Sequence, residues 1–320
     1  MLNNFKLVVD NGGNLFFPPV TDGLRLETRR AGAPARLTFS IVGGGGGIRE
    51  GNAVKLIVNR ENVFFGFVFR LTNDKNNVVD VTCYDQMRYL KNKDTYVYQN
   101  MRASDVIRMV ARDFELNLGT IATTTYTIPQ RDESNISLLD IIYTALDFEL
   151  VYGGNMFVLF DDFGRLTLRA LDSMRIGVLI DAETAENYDF QTTINSNTYN
   201  RIKLVRENNE TGMRDIYVVQ DGRNIDRWGI LQYFNTLQEG DVGQTKARAL
   251  LNLFNHKGKT LRIRNALGNV KVRAGTLPVV SLRLRGRNTS NHMLVEKCVW
   301  RISNGEFLMD LTLRGGDIHG

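Results

Sequence analysis

The stretch from Glu50 to Leu90 restricts the fold more than any other part of the chain. Val54, Leu56 and Val58 alternate with Lys55 and Ile57, the period of a strand with one apolar face. Residues 59–62 are a polar break of turn length, and Val63 to Phe69 reads as a second strand. Gly66 interrupts that strand and predicts a bulge or a close backbone approach. After a second polar turn at 73–77, Val79, Val81 and Cys83 alternate with Asp80, Thr82 and Tyr84. Three strands joined by short polar turns predict an antiparallel meander. Its faces are both partly apolar, so a second layer or a closed barrel has to cover it.

The same unit recurs near the C-terminus. Gly275-Thr-Leu-Pro-Val-Val-Ser-Leu282 matches the run from Gly51 to Leu56, and Met309-Asp-Leu-Thr312 echoes Val79-Asp-Val-Thr82. Met293-Leu-Val295 is placed opposite Val63-Phe-Phe65, with a longer first loop at 285–291. A unit repeated this far apart is not a solenoid period. It predicts two related β-domains with something else between them.

The chain of 320 residues suits two or three domains. Cys83 and Cys298 each lie in an apolar strand, which predicts buried free thiols and no disulfide framework. The start MLNNFKLVVDNGG lacks the features of a signal peptide, and no stretch approaches the length of a membrane span. A soluble chain made in the cytoplasm, with no membrane insertion, is expected. The formal charge is only +5, yet basic residues crowd two regions: Arg25, Arg29, Arg30 and Arg36, then Arg262, Arg264, Lys271, Arg273, Arg283, Arg285 and Arg287. Residues two apart share a strand face, so Arg262 with Arg264, and Arg283 with Arg285, form basic faces for an acidic partner or nucleic acid, or solvated faces.

Taken in order, residues 1–95 read as the first β-domain, with alternating runs at Phe5–Val9, Leu24–Leu26 and Leu37–Ile41. The five glycines at 43–47 lack the Gly-Lys-Ser/Thr of a phosphate loop and read as a flexible connection. Residues 96–182 read as a small α/β domain. It has helices over 101–116 and 136–150, the second capped by Ser137, and a hairpin around Asp161-Asp-Phe-Gly164. Residues 183–320 form the second β-domain, with a helical insertion at about 225–260 that Gly258 is placed to end. The fold class is therefore mainly β with an α+β insertion: two related antiparallel β-barrels separated by a small α/β domain.

No catalytic constellation stands out. Asp162-Phe-Gly164 spells a kinase magnesium motif without the accompanying kinase elements, and a hairpin turn explains it better. His256, His292 and His319 are scattered, so no metal and no cofactor are expected. Carboxylate pairs such as Asp80 with Asp85, or Asp161 with Asp162, are the remaining acid–base candidates, and turn or surface roles are the commoner case for them. The chain is read as non-enzymatic.

A family resemblance rests on Gly51-Asn52, Phe64-Phe-Gly-Phe-Val-Phe69 and Tyr84-Asp-Gln-Met-Arg-Tyr-Leu-Lys-Asn-Lys93. It continues through Leu159-Phe-Asp-Asp-Phe-Gly164, Thr198-Tyr-Asn-Arg-Ile-Lys-Leu204, Trp228-Gly-Ile-Leu-Gln-Tyr233 and Leu311-Thr-Leu-Arg-Gly-Gly316. These strings resemble the XkdQ/YqbQ family of tail hub proteins of PBSX-like prophages, contractile phages and phage-tail-like bacteriocins. The resemblance implies a homotrimeric ring of six barrels, the baseplate hub between a hexameric tail tube and a trimeric spike. Tail tube proteins, the spike protein and other baseplate proteins would be its partners, with DNA or a tape-measure protein passing through the channel. Its place would be a virion or tail-like particle assembled in the bacterial cytoplasm. The aromatic run exceeds what one barrel face buries, so Phe64, Phe65, Phe67, Tyr84 and Tyr89, with Tyr96 and Tyr98 nearby, are interface candidates, core packing being the alternative. Arg283, Arg285 and Arg287 complete the set. A barrel-type nucleic-acid-binding protein is the rival reading.

Overall fold

The computed structural model describes residues 5–43, 47–207, 212–237, 241–284, 287–303 and 305–315, with backbone only at 22, 284 and 287–289. The first seven strands are β1 (Phe5–Asn11), β2 (Asn14–Phe16), β3 (Val20–Arg29), β4 (Arg36–Val42), β5 (Ala53–Val58), β6 (Glu61–Asn73) and β7 (Val78–Tyr84). A mixed region follows: β8 (Lys93–Arg102), α1 (Ala103–Asp113), β9 (Leu118–Ile121), β10 (Thr127–Ser137), α2 (Leu138–Phe148), β11 (Phe157–Asp161) and β12 (Leu166–Ala170). Next come β13 (Arg175–Asp181), β14 (Ala185–Thr193), β15 (Arg201–Glu207), β16 (Arg214–Gln220), α3 (Gly222–Trp228), β17 (Gln232–Thr236) and α4 (Gly243–Phe254). The chain ends through β18 (Gly258–Leu267), β19 (Leu277–Leu284), β20 (Arg287–His292), β21 (Leu294–Ser303) and β22 (Glu306–Arg314).

The expected meander is present, β5 pairing with β6 and β6 with β7, both antiparallel. Strict alternation builds it: in β7 the side chains of Val79, Val81 and Cys83 are buried while those between them are not. Gly66 marks a close approach, since a Cβ there would lie 2.3 Å from the Tyr84 carbonyl oxygen. The bulge itself falls after Val68, where the β6–β7 register slips.

Among the described residues, the two β-units do not form separate closed sheets. They share one open sheet of eleven strands, in the order β14-β18-β22-β21-β3-β4-β7-β6-β5-β1-β2. The joint is β21 on β3, antiparallel from Lys297 opposite Arg29 to Ile302 opposite Leu24. One core draws on both halves, with Leu26, Leu37, Val54 and Cys83 from the first and Leu261, Cys298, Trp300 and Leu313 from the second. Both cysteines are free and buried, and burial raises both thiol pKa values.

The repeat is exact enough to be traced by register. Gly51 N–H donates to Val68 O (2.8 Å) and Val68 N–H to Asn52 O (2.9 Å). In the second unit Gly275 N–H donates to Val295 O (2.8 Å) and Val295 N–H to Thr276 O (3.0 Å). Val68 faces Cys83 and Val295 faces Leu313, and the register slips one residue later in both, at Phe69 and at Glu296. Val295 therefore corresponds to Val68, three positions along from the Phe65 that sequence alone assigned. The bulge and the longer second hairpin hide this in the sequence. Asp310 does correspond to Asp80, because Thr312 and Thr82 take the same place one step before those pairs.

The α/β region packs α1 and α2 on the β8–β10 ladder and the β11-β12-β9 sheet, around Ile107, Val110, Ile141, Ile142 and Leu159. Ser137 caps α2 as expected, its Oγ accepting from Asp140 N–H at 3.2 Å. A second small unit, β16-β15-β17 covered by α4, has its own core of Ile202, Leu204, Ala247 and Leu250. Since β14 pairs directly with β18, this whole unit interrupts the main sheet, and it reaches further upstream than the helical insertion read from sequence. α4 ends on Asn255, and Gly258 instead begins β18. The central glycines 44–46 and the tail from 316 lie outside the described residues.

Candidate assembly surface

Alternation along β6 divides its aromatic side chains between two faces. Phe64 points into the main core and is 3% exposed. Phe65, Phe67 and Phe69 share the opposite face and are half-buried. There they join Phe163, Tyr89 and Tyr84 in a continuous ladder. Ring centroids are 5.9 Å apart from Phe163 to Phe65, 5.6 Å from Phe65 to Phe67 and 6.3 Å from Phe67 to Tyr89. The ladder continues at 5.8 Å from Tyr89 to Phe69 and 5.6 Å from Phe69 to Tyr84. These are favourable separations for edge-on and tilted ring pairs.

The inner end of the ladder is an intrachain docking site. Phe163 and Gly164 sit at the tip of the β11–β12 hairpin, both at positive φ (49° and 84°), with Gly164 N–H donating to Asp161 Oδ1 at 2.7 Å. The Asp-Phe-Gly string is thus a hairpin turn. A Cβ on Gly164 would lie 2.6 Å from Phe65 Cδ1 and would sit on left-handed backbone. Gly164→Ala is expected to lower stability by about 1–2 kcal/mol, checked by urea unfolding against Arg165→Ala on the exposed side of the same turn.

Beside this docking site lies a buried ionic knot. Asp85 Oδ2 accepts from Ala35 N–H (3.0 Å) and Oδ1 from Met87 N–H (3.1 Å), capping the short turn at Gln86–Lys91. Arg273, from the second β-unit, donates to the Asp161 carbonyl at 2.9 Å and lies 4.1 Å over the Phe160 ring. Burial, then the charge of Asp161, raises the Asp85 pKa well above its ordinary value, against the amides and Arg273. Burial likewise raises Asp161. Asp85 thus faces Asp161, not Asp80, which is exposed and accepts from Ser40 Oγ at 2.6 Å. The knot ties three parts of the chain together, with Asp85 and Asp161 buried and Asp162 beside them exposed. Among the described residues, no group of three His, Cys, Asp or Glu side chains could hold a metal ion.

Of the basic candidates, Arg283 and Arg287 belong to one hairpin, β19 paired with β20. Arg283 is exposed on β19 and its carbonyl accepts from Tyr188 Oη at 3.0 Å. Arg285 lies outside the described residues, as does the side chain of Arg287, whose backbone opens β20. Tyr98 is buried in the α/β core, and Tyr96 donates to Asp113 at 3.1 Å. Two features escaped sequence reading. Phe69 is the aromatic nearest the bulge, and Glu27 gathers Arg25, Arg29, Arg36 and Lys297 within 3.4 Å. The early arginine cluster was the visible signal of the second; its acidic centre was not.

The open, mainly β sheet with its α/β appendage has the fold of solved phage tail proteins. A tail protein from Neisseria meningitidis MC58 superposes with a TM-score of 0.72 at 12% identity, covering 98% of both chains. The chain belongs to the YqbQ-like family, which matches residues 24–314. Curated relatives in Bacillus subtilis strain 168 are the uncharacterized protein YqbQ, 32% identical over 81% of this chain and 82% of its own length, and the phage-like element PBSX protein XkdQ, 31% identical with the same coverage.

Proposed function

We propose that this chain is the baseplate hub subunit of a contractile phage tail or phage-tail-like particle. Three copies form a ring with threefold true symmetry and sixfold pseudo-symmetry, each contributing two related barrel-like β-units. A hexameric tail tube docks on one side and a trimeric spike on the other, with DNA or a tape-measure segment passing through the centre. The role is structural, not enzymatic, and its place is the virion or tail-like particle.

The observation that carries this reading is the internal repeat. Two four-strand units with the same bulge and the same closing glycine stand side by side in one sheet. A single chain that presents the same surface twice gives a trimer six near-equivalent positions, which is what matching a sixfold partner to a threefold one requires. The relatives' phage-element and tail-protein names support the setting.

Light scattering on the purified protein, alone and mixed with the spike protein of its particle, tests the reading. A trimer, or a three-to-three complex on mixing, is expected. A monomer indifferent to the spike but shifted by oligonucleotide, with a steep salt slope, overturns it in favour of a nucleic-acid-binding role.

A further inference from the structure

The polar face of the main sheet carries a row of arginines that crosses the strands at the joint of the two β-units. Arg301 lies opposite Arg25, Arg25 opposite Thr38, Thr38 opposite Thr82 and Thr82 opposite Arg70. The row runs over β21, β3, β4, β7 and β6, about 19 Å at the usual strand spacing. Alternation puts it on the side away from the core, because Trp300, Leu26, Leu37 and Val81 point inward from the neighbouring positions. Beside it runs a second row of small side chains, Ser40 opposite Asp80 and Asp80 opposite Thr72. Gly23 extends this low ground, and no side chain fits there: a Cβ would lie 2.3 Å from the Ile302 carbonyl oxygen. The arginines thus wall one side of a trough of about 530 Å³.

Charge in the trough is unbalanced. Arg301 is held by Asp310 Oδ1 at 3.0 Å, and Arg25 reaches Glu27 at 3.4 Å. Glu27 is already shared with Arg29, Arg36 and Lys297, so it neutralises Arg25 only in part. Arg70 donates from Nε to Thr72 Oγ1 at 3.1 Å, and no carboxylate pairs with it among the described residues. The hydroxyls of Thr38 and Thr82, between the arginines, have no hydrogen-bond partner among the described residues either. Asp80 is the carboxylate that lines the trough, and it accepts from Ser40 Oγ at 2.6 Å.

We propose that this trough binds a chain of phosphates, gripped by Arg301, Arg25 and Arg70, with Thr38 and Thr82 donating between them. A guanidinium fork matches phosphate oxygens two at a time, and the row is too long for a single oxyanion. A peptide suits it less. β3, β4 and β7 each have a strand on both sides, so their main-chain groups are spent in the sheet. They leave a peptide backbone nothing to pair with. A phosphate chain carries its charge on the backbone and asks only for donors. Phe39, the ring beneath the trough, is 3% exposed and belongs to the core, so no base stacks on it. The site therefore reads charge and not base sequence. Its phosphates come from a nucleic-acid backbone or from a free polyphosphate, which share this chemistry. The site is complete within one chain, and it goes beyond the hub reading without depending on it.

Fluorescence anisotropy of the full chain with a labelled, mixed-sequence single-stranded oligonucleotide of about 12 nucleotides tests the site. Inorganic tripolyphosphate and poly-glutamate serve as competitors. Binding is expected to weaken with salt at a log–log slope of about −2, for three neutralised phosphates on a single strand. Arg70→Gln is expected to weaken binding about tenfold and to flatten that slope, with an unchanged urea midpoint, since no ion pair is lost. Asp80→Asn removes the trough's own carboxylate and is expected to tighten binding about threefold, a gain that a damaged fold does not produce. Arg227→Gln, on the exposed side of α3, is expected to change nothing. Competition by tripolyphosphate with the same response to both trough variants identifies a site that free polyphosphate fills. Binding of the oligonucleotide alone identifies the nucleic-acid backbone as the source. Poly-glutamate competing as well as phosphate overturns the proposal in favour of an acidic peptide. Absence of binding, or binding that Arg70→Gln and Asp80→Asn do not move, overturns it in favour of a solvated sheet face. A trimer that binds no phosphate chain overturns this site and leaves the hub reading standing. A monomer that ignores the spike yet binds through Arg70 does the reverse.

Discussion

Replacing Glu27 with glutamine is expected to lower the unfolding free energy by about 3 kcal/mol at neutral pH, the low end for breaking a buried ion pair. The carboxylate is 6% exposed and sits at the joint of the two β-units. Arg29 lies 2.9 Å away, Arg36 and Lys297 3.2 Å, and Arg25 3.4 Å. Removing the one anion leaves four cations converging on a neutral amide. Their half-exposed side chains can turn toward water, which is why the loss stays at the low end.

The pH dependence follows from the same geometry. Burial opposes ionisation of Glu27, but hydrogen bonds from Arg29 and Lys297, and their charges, prevail and lower its pKa from 4.5 to about 2. A depressed carboxylate stabilises the fold fully above its unfolded pKa, and this contribution is lost as pH falls through the folded one. Urea unfolding should therefore show the wild type losing its advantage over Glu27→Gln between about pH 4.5 and 2, and keeping it above. An unchanged difference across that window would show that packing, not charge, sets the loss.

Trp300→Ala is expected to cost about 4 kcal/mol, in the range for truncating a buried aromatic. The indole is 4% exposed, donates from Nε1 to the Val272 carbonyl at 3.0 Å and stacks edge-on against Phe307 at 5.0 Å. Alanine leaves a cavity in the core shared by both β-units and leaves that carbonyl with only the weak Cys298 Sγ–H donor at 3.6 Å. Trp300→Phe keeps most of the volume and the ring contact, so about 1–2 kcal/mol is expected from the lost hydrogen bond alone. Denaturant unfolding followed by far-ultraviolet circular dichroism distinguishes the two. Trp300 backs the β21–β3 joint, opposite Leu26. A unit that folded independently of its twin would lose only part of the signal in the alanine variant, in a separate transition.

The meander, the capped helix α2 and the Asp-Phe-Gly hairpin were legible because each depends on residues close in sequence. Period-two alternation in β7, a serine before an apolar helical face and a glycine at positive φ each act locally. The aromatic run was legible as surplus apolar area, but not its division. Whether Phe65 docks on the α/β hairpin or Phe69 stands at an open edge depends on which strand lies beside β6 at each residue, a fact of the whole sheet. The same holds for Glu27, an ordinary glutamate in sequence whose environment is assembled from β3, β4 and β21.

The sequence by itself determined that two alike β-units flank an α/β segment, and that glycine and polar turns space their strands. Only the tertiary structure decided that the units join edge to edge in one open sheet, and that the repeat aligns Val295 with Val68. The physical reason is that strand periodicity specifies a face and says nothing about which edge meets which. A bulge shifts register without leaving a mark in residue spacing, and edge partners are chosen by hydrogen bonds and ion pairs between residues far apart in the chain.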